Sequence, residues 1–323
     1  MRALICNEYT GIDSLTVGEL PEPEPTAGSV LVEVKAAAVN FADSLLVAGL
    51  YQMKPDLPFS PGSEVAGIVL DTGTVAGLAI GDRVCGFSGV GGMAEKALIP
   101  GPATVKVPDT VSFEEAASIP VAYGTSYHAL VDRGLLQAGE TLLVLGAAGG
   151  VGLAAVQIGK ALRARVIAAV SSEEKAGVAI HSGADAVIRY DLVSLRDGIN
   201  EATNGEGVDV VYDPVGGDAT EAALRSTRWN GRLLVVGFAA GDIPSIPLNL
   251  TLVKGNSLVG VFWGRHFMEA PDEEAANFKQ IMAWVADGTL KPSVQKTYPL
   301  DEGAAAIRWV AERNAIGRVV VQP

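Results

Sequence analysis

Thr141-Leu142-Leu143-Val144-Leu145-Gly146-Ala147-Ala148-Gly149-Gly150-Val151-Gly152 is the stretch whose reading decides the fold. An apolar, β-prone run passes straight into a glycine-rich turn, and an amphipathic helix is predicted from Val151 to about Leu162. Strand, turn and helix in that order turn a glycine pattern into a dinucleotide fingerprint. Glycines keep the turn tight, let backbone N–H groups approach a pyrophosphate, and let the helix pack close to its strand. The first turn of the helix then offers unpaired donors and a partial positive charge. Here Gly149, Gly150, Val151 and Gly152 are the pyrophosphate-binding candidates, and Ala147 stands where the first glycine of G-x-G-x-x-G would be.

Outward from this turn the same texture repeats. Strands are predicted at Arg165–Ala169, Ala186–Ile188, Val208–Tyr212 and Arg232–Val236, with helices near Glu173–Ser182 and Ala219–Thr227. Short apolar runs alternating with helical periods predict a doubly wound α/β domain with a parallel sheet. It begins around Phe113, where Ser112 and Glu115 have capping-box spacing. Residues 1 to about 118 are instead strand-rich and broken by Gly, Pro and Asp, as at Val30–Lys35, Val65–Leu70 and Arg83–Phe87, and predict a barrel-like or sandwich β domain. After about 256 the pattern loosens, through an apolar run at Ser257–Trp263, helices near Glu273–Asp287 and Asp301–Arg313, and a last strand Gly317–Val321.

The 323 residues are enough for two domains, and 49% hydrophobic content supplies a core for each. A net charge of −13 lacks the basic footprint that nucleic acids and anionic membranes require. Cys6 and Cys85 cannot build a disulfide framework, the N-terminus lacks the apolar length of a signal peptide, and no run is long enough to span a bilayer. A cytoplasmic protein is the expectation.

The second strand of the α/β region ends Val170-Ser171-Ser172-Glu173-Glu174-Lys175. NAD-binding folds place an acid about 20 residues after the turn to hold the ribose 2′-hydroxyl. Ser171, 19 residues after Gly152, occupies that place. Small hydroxyls at Ser171 and Ser172 leave room for a 2′-phosphate, and Lys175 supplies a cation for it, so NADPH is expected over NADH. Either serine can also serve simply as a helix N-cap.

His128, His181 and His266 show no pairing at metal-ligand spacing, and no catalytic triad or nucleophile elbow stands out. Hydride transfer needs none of these when a nicotinamide supplies the reactive carbon.

Several further motifs, Val39-Asn40-Phe41-Ala42-Asp43, Gly49-Leu50-Tyr51, Pro61-Gly62-Ser63-Glu64-Val65-Ala66-Gly67, Gly81-Asp82-Arg83-Val84, Ala122-Tyr123-Gly124-Thr125, Asp209–Gly217 and Gly317-Arg318-Val319, span the chain. Together with the glycine turn, they resemble the zinc-free NADPH:quinone oxidoreductase (zeta-crystallin-like) branch of the medium-chain dehydrogenase/reductase superfamily. The resemblance implies a Rossmann cofactor domain plus a mostly β, GroES-like catalytic domain, with residues 1–118 and 257–323 forming the latter and 119–256 the former. The zinc branch carries Cys at the position of Asn40 and His at that of Ser63, so no metal is implied.

By resemblance, Asn40 and Thr125 contact the nicotinamide end. Ser171, Lys175 and Tyr190 surround the 2′-phosphate and adenine, while Val236, Gly237, Phe238, Phe262 and Trp263 line the nicotinamide ribose and ring. Tyr51, 11 residues after Asn40, stands where related 2-enoyl thioester reductases place a proton-donating tyrosine. A homodimer pairing near Ser257–Phe262 is implied. The expected reaction is hydride transfer to a small conjugated acceptor, a quinone first. An enoyl thioester or α,β-unsaturated ketone is the alternative, and a non-catalytic NADPH-binding role is a further one.

Overall fold

The computed structural model describes all residues from Met1 to Pro323. The chain forms two compact units. One comprises Met1–Val121, Ala270–Ala286 and Pro292–Pro323, and the other Ala122–Glu269 and Asp287–Lys291.

The second unit is built on a six-stranded sheet whose order is Ala186–Arg189, Arg165–Val170, Thr141–Leu145, Val208–Asp213, Thr227–Val235, Ser257–Gly260. All five pairings are parallel. Numbered along the chain this is the order 3-2-1-4-5-6 of a dinucleotide-binding fold, with its switch point between Thr141–Leu145 and Val208–Asp213. Thr141–Leu145 is buried along its whole length because helices cover both faces of the sheet, so it reads as an unbroken apolar run and not as an alternating one. Leu143, Leu145, Ile167, Val211 and Leu233 form the heart of one core layer, with Ile199 and Leu224 reaching it from helices.

The first unit is mostly antiparallel. Ser29–Val39, its longest strand, pairs with Glu64–Asp71, Arg318–Gln322 and Lys96–Pro100, and the sheet extends through Arg83–Phe87 to Thr104–Lys106. The predicted capping box forms: Glu115 N–H donates to Ser112 Oγ while Ser112 N–H donates to the Glu115 carboxylate.

Three expectations change. The chain does not return to the first unit at 257: Ser257–Gly260 hydrogen-bonds along Thr227–Val235 as the sixth parallel strand, and the crossing comes at Ala270. The apolar run Ser257–Trp263 is not one strand, since Trp263 opens a helix, Trp263–Glu269. Short apolar runs do not distinguish strand from buried helix by periodicity. Helices absent from the sequence reading occur at Phe41–Val47, Pro120–Tyr127 and Leu195–Ala202. No helix is long and apolar enough to cross a membrane.

Candidate active site

In the second unit the glycine turn behaves as the sequence requires. Gly146 takes φ +58, and a β-carbon on Gly152 would lie 2.2 Å from the Gly146 carbonyl oxygen. Gly152 is therefore demanded by the packing of the helix Gly150–Ala161 on its own turn. Gly149 is different: a β-carbon there would meet only the Gly146 oxygen, at an ordinary 3.5 Å. The protein's own packing leaves that position open, at the N-terminus of a 12-residue helix whose first N–H groups have no intrahelical partner. An open position at a helix N-terminus suits an anion of the pyrophosphate kind. Ser126 steadies the helix start by donating to the Val151 carbonyl at 2.9 Å, while its oxygen lies 2.9 Å from the buried Tyr212 hydroxyl.

At the end of the neighbouring strand Arg165–Val170, Lys175 Nζ donates to Ser171 Oγ at 3.3 Å. Ser172 is the N-cap of the helix Glu173–His181, accepting from the Lys175 N–H. Of the two alternatives for these serines, capping thus falls to Ser172, and Ser171 is left with the lysine. Tyr190 stands half-exposed just beyond Ala186–Arg189, its N–H donating to the Val170 carbonyl. Arg189, which the sequence reading passed over, sits opposite Val170 in the sheet register, with its guanidinium ion-paired to Glu173 and Asp191. A cation directly before Tyr190 was the available signal.

Beyond the switch point, Val236 and Gly237 donate backbone N–H groups to the Asp213 carbonyl. The buried Asp213 carboxylate accepts from the Val215 and Gly216 N–H groups at 2.9 Å and from the Thr220 hydroxyl at 2.6 Å. Asp213 at a strand end thus fixes two loops, Pro214–Gly217 through its carboxylate and the one bearing Val236–Phe238 through its backbone carbonyl. The turn residues, Ser171, Lys175, Tyr190 and Val236–Phe238 all follow the carboxyl ends of parallel strands, the edge where open α/β sheets bind ligands. Trp263 is buried, with its indole so close to Gly124 that a β-carbon there would lie 2.9 Å from it, whereas Phe262 is half-exposed. Thr125, partly buried, follows Gly124 on the helix Pro120–Tyr127.

In the first unit, Asn40 begins the helix Phe41–Val47, and its N–H donates to Asp43 Oδ2 at 2.7 Å. Its side chain is engaged elsewhere. The amide nitrogen donates to Glu64 Oε1 at 2.9 Å, and its oxygen accepts from Arg318 at 3.0 Å. One amide proton remains for a ligand. Glu64, wholly buried, also accepts from Arg318 and from the Val121 N–H. Burial pushes the Glu64 carboxyl up, and the Arg318 cation and these hydrogen bonds pull it back. Burial likewise pushes Asp43 up to about 7, against N–H donors from Asn40 and Gly62. Tyr51 is partly buried, and burial followed by the Asp43 charge raises its phenol above the ordinary value.

This cluster also tests zinc. The positions that carry zinc ligands in the zinc branch are Asn40 and the Gly62–Glu64 motif, and here a guanidinium already holds Glu64 and Asn40. Two neutral side chains and a carboxylate neutralised by arginine do not fit a zinc ion.

The fold and its strand-end crevice define a nucleotide-binding dehydrogenase or reductase of two units. Residues 26–109 match the alcohol dehydrogenase GroES-like domain, and residues 150–286 match the family described as zinc-binding dehydrogenase. A Bos taurus protein named quinone oxidoreductase-like protein 2 is 38% identical over 322 residues, covering 99% of this chain and 92% of the relative. Escherichia coli quinone oxidoreductase complexed with NADPH is similar in structure, with TM-score 0.91 and 29% identity over 100% of both chains. A mycobacterial protein, Rv1454c, complexed with NADPH gives TM-score 0.92 and 33% identity over 100% of both. The chain belongs to the quinone oxidoreductase branch of the medium-chain dehydrogenase/reductase superfamily. It is an oxidoreductase by family and fold.

Proposed function

We propose that the chain is an NADPH-dependent reductase whose hydride transfer uses no metal, acting on a conjugated acceptor, with a quinone as the leading substrate class. The observation that carries this reading is the strand-end arrangement of the second unit: an open Gly149 cradle on one strand and the Ser171–Lys175 pair on the next. When bound, NADPH supplies the hydride. Gly150–Gly152 hold its pyrophosphate through backbone N–H groups, with Gly149, whose own N–H donates to the Gly146 carbonyl, leaving room for its approach, and Lys175 with Ser171 and Tyr190 hold the 2′-phosphate and adenine. The loop Val236–Phe238, fixed by Asp213, supports the nicotinamide ribose, with Thr125, Phe262 and Trp263 towards the ring.

Reduction of a quinone or enone adds a hydride at one end of the conjugated system and a proton at the other. Tyr51 is the proposed proton donor. Its raised phenol stays protonated throughout the neutral range and can stabilise the developing oxyanion by a hydrogen bond. Asn40, with one amide proton uncommitted, is the second candidate in the first unit for holding the acceptor. The protonated Tyr51 also suits an enoyl thioester, whose reduction needs a carbon protonated, so that class stands as the second reading.

We further propose a homodimer formed along Ser257–Gly260. That strand is the unpaired edge of its sheet, and Leu258, Leu252 and Val253 are exposed around it. The deciding experiment is NADPH oxidation by chelator-treated enzyme with an ortho-quinone and with a short enoyl-CoA in parallel. Turnover on the quinone alone is the expected result. Turnover on the thioester alone would move the chain to the enoyl reductases, and NADPH binding with turnover on neither would support the non-catalytic role.

A further inference from the structure

We propose that His128, Asp132 and His266 form a binding site for one divalent transition-metal ion, separate from the nucleotide crevice and from hydride transfer. The histidines show no metal-ligand spacing along the chain, yet the fold brings His128 and His266 together. His128 and Asp132 lie one turn apart, with His128 Nδ1 2.8 Å from Asp132 Oδ2. The helix Trp263–Glu269 brings His266 Nε2 to 3.9 Å from the same oxygen. The two imidazoles stack with centroids 4.1 Å apart and planes 16° apart. One carboxylate oxygen is therefore the hub of two imidazole nitrogens, and the three donor atoms lie within 4.8 Å of one another.

Bonds of about 2.0–2.2 Å in a tetrahedral site put neighbouring donors about 3.3–3.6 Å apart. The separations of 2.8 and 3.9 Å bracket that spacing. Side-chain rotations that splay the stacked rings would aim both lone pairs at one ion. Two imidazoles with one carboxylate suit zinc, cobalt, nickel or copper, and are a poor set for calcium or magnesium, which take oxygen ligands. The histidine side chains are 7% and 15% exposed and Asp132 29%, so the site is shielded yet open on the carboxylate side for entry and for a water in the fourth position.

Local geometry adds a second observation. His128–Arg133 is wound as a π-helix, an uncommon conformation that concentrates at functional sites. An ion held here would clamp the helix Trp263–Glu269 to that segment. Since Trp263 belongs to the same helix and packs on Gly124, its position would be fixed as well. The site would thus hold a ring-lining element in place without touching reacting atoms.

The test is titration of the chelator-treated, full-length protein with Co²⁺, read by its visible ligand-field absorption, followed by displacement with Zn²⁺. One equivalent should bind, with at least about tenfold weaker binding in both His266→Ala and Asp132→Asn. His181→Ala, which alters the remaining histidine on an exposed helix end, should leave binding unchanged. Circular dichroism and Tm of each metal-free variant check that folding persists, and the near-isosteric Asp132→Asn covers the case in which His266→Ala does not fold. No absorption band, a band surviving both variants, or one abolished by His181→Ala would overturn the proposal and leave a histidine stack with His128 hydrogen-bonded to Asp132.

Discussion

Arg318 closes on Glu64 across 254 residues of sequence, and both side chains are almost wholly buried in the first unit. Asn40 joins them, so three of the motifs scattered along the chain meet in one polar cluster. Removing one partner of such a pair leaves an uncompensated buried charge. Arg318→Met should therefore cost about 3–5 kcal/mol, and the double variant Arg318→Met/Glu64→Gln should recover part of the loss. Denaturant unfolding of the three proteins measures this, and a double variant no better than the single would deny the pairing its role.

Gly149 and Gly152 are predicted to separate binding from folding. Gly152→Ala drives a β-carbon into the Gly146 carbonyl, so the expected result is overpacking worth about 1–3 kcal/mol in unfolding experiments. Gly149→Ala has room within the protein and should fold normally while weakening NADPH severely. Calorimetric titration beside thermal unfolding distinguishes the two; equal loss of stability would remove the argument for the open cradle.

Lys175 sets cofactor choice if its contact with Ser171 marks the 2′-phosphate site. Lys175→Ala should weaken NADPH about tenfold or more, the scale of a lost charge-assisted contact, and leave NADH within about twofold. Fluorescence titration with both nucleotides decides it. An equal effect on both would move the 2′-phosphate elsewhere, towards Arg189.

Tyr51→Phe keeps the ring and removes the proton. Turnover should fall about a hundredfold, with the Kd for NADPH unchanged. Stopped-flow rates beside equilibrium binding give both quantities, and unchanged turnover would relegate Tyr51 to lining the pocket.

Asp43 gives the stability of the first unit a pH signature. Its carboxyl rises from 3.8 to about 7 on folding, so between those values the folded state binds a proton that the unfolded state does not. Its contribution to stability is fully present below pH 3.8 and is lost as pH rises towards 7. Asp43→Asn should remove up to one proton from that slope. Urea unfolding at intervals from pH 4.5 to 7.5 is the measurement, and an unaltered slope would show that Asp43 titrates normally (about 4) in the folded chain.

The sequence by itself determined the local grammar of this protein. A buried parallel strand, its glycine turn and the helix after it are contiguous, so Thr141–Ala161 was legible in type and nearly in extent. The capping box at Ser112 was legible for the same reason. Candidates Ser171 and Lys175 followed from counting along the chain, because one strand and one turn fix their distance from Gly152.

Only the tertiary structure decided what depends on long-range pairing. Ser257–Gly260 belongs to the parallel sheet because Thr227–Val235 offers it an open edge, which no local pattern announces. Asn40 spends most of its amide on Glu64 and Arg318 because two sheet pairings bring Ser29–Val39 beside both Glu64–Asp71 and Arg318–Gln322. His128 and His266 are 138 positions apart in sequence and stack because two helices of one unit pack together. Contacts between side chains distant in sequence carry no periodicity and no spacing. Burial creates them, and only the folded chain displays them.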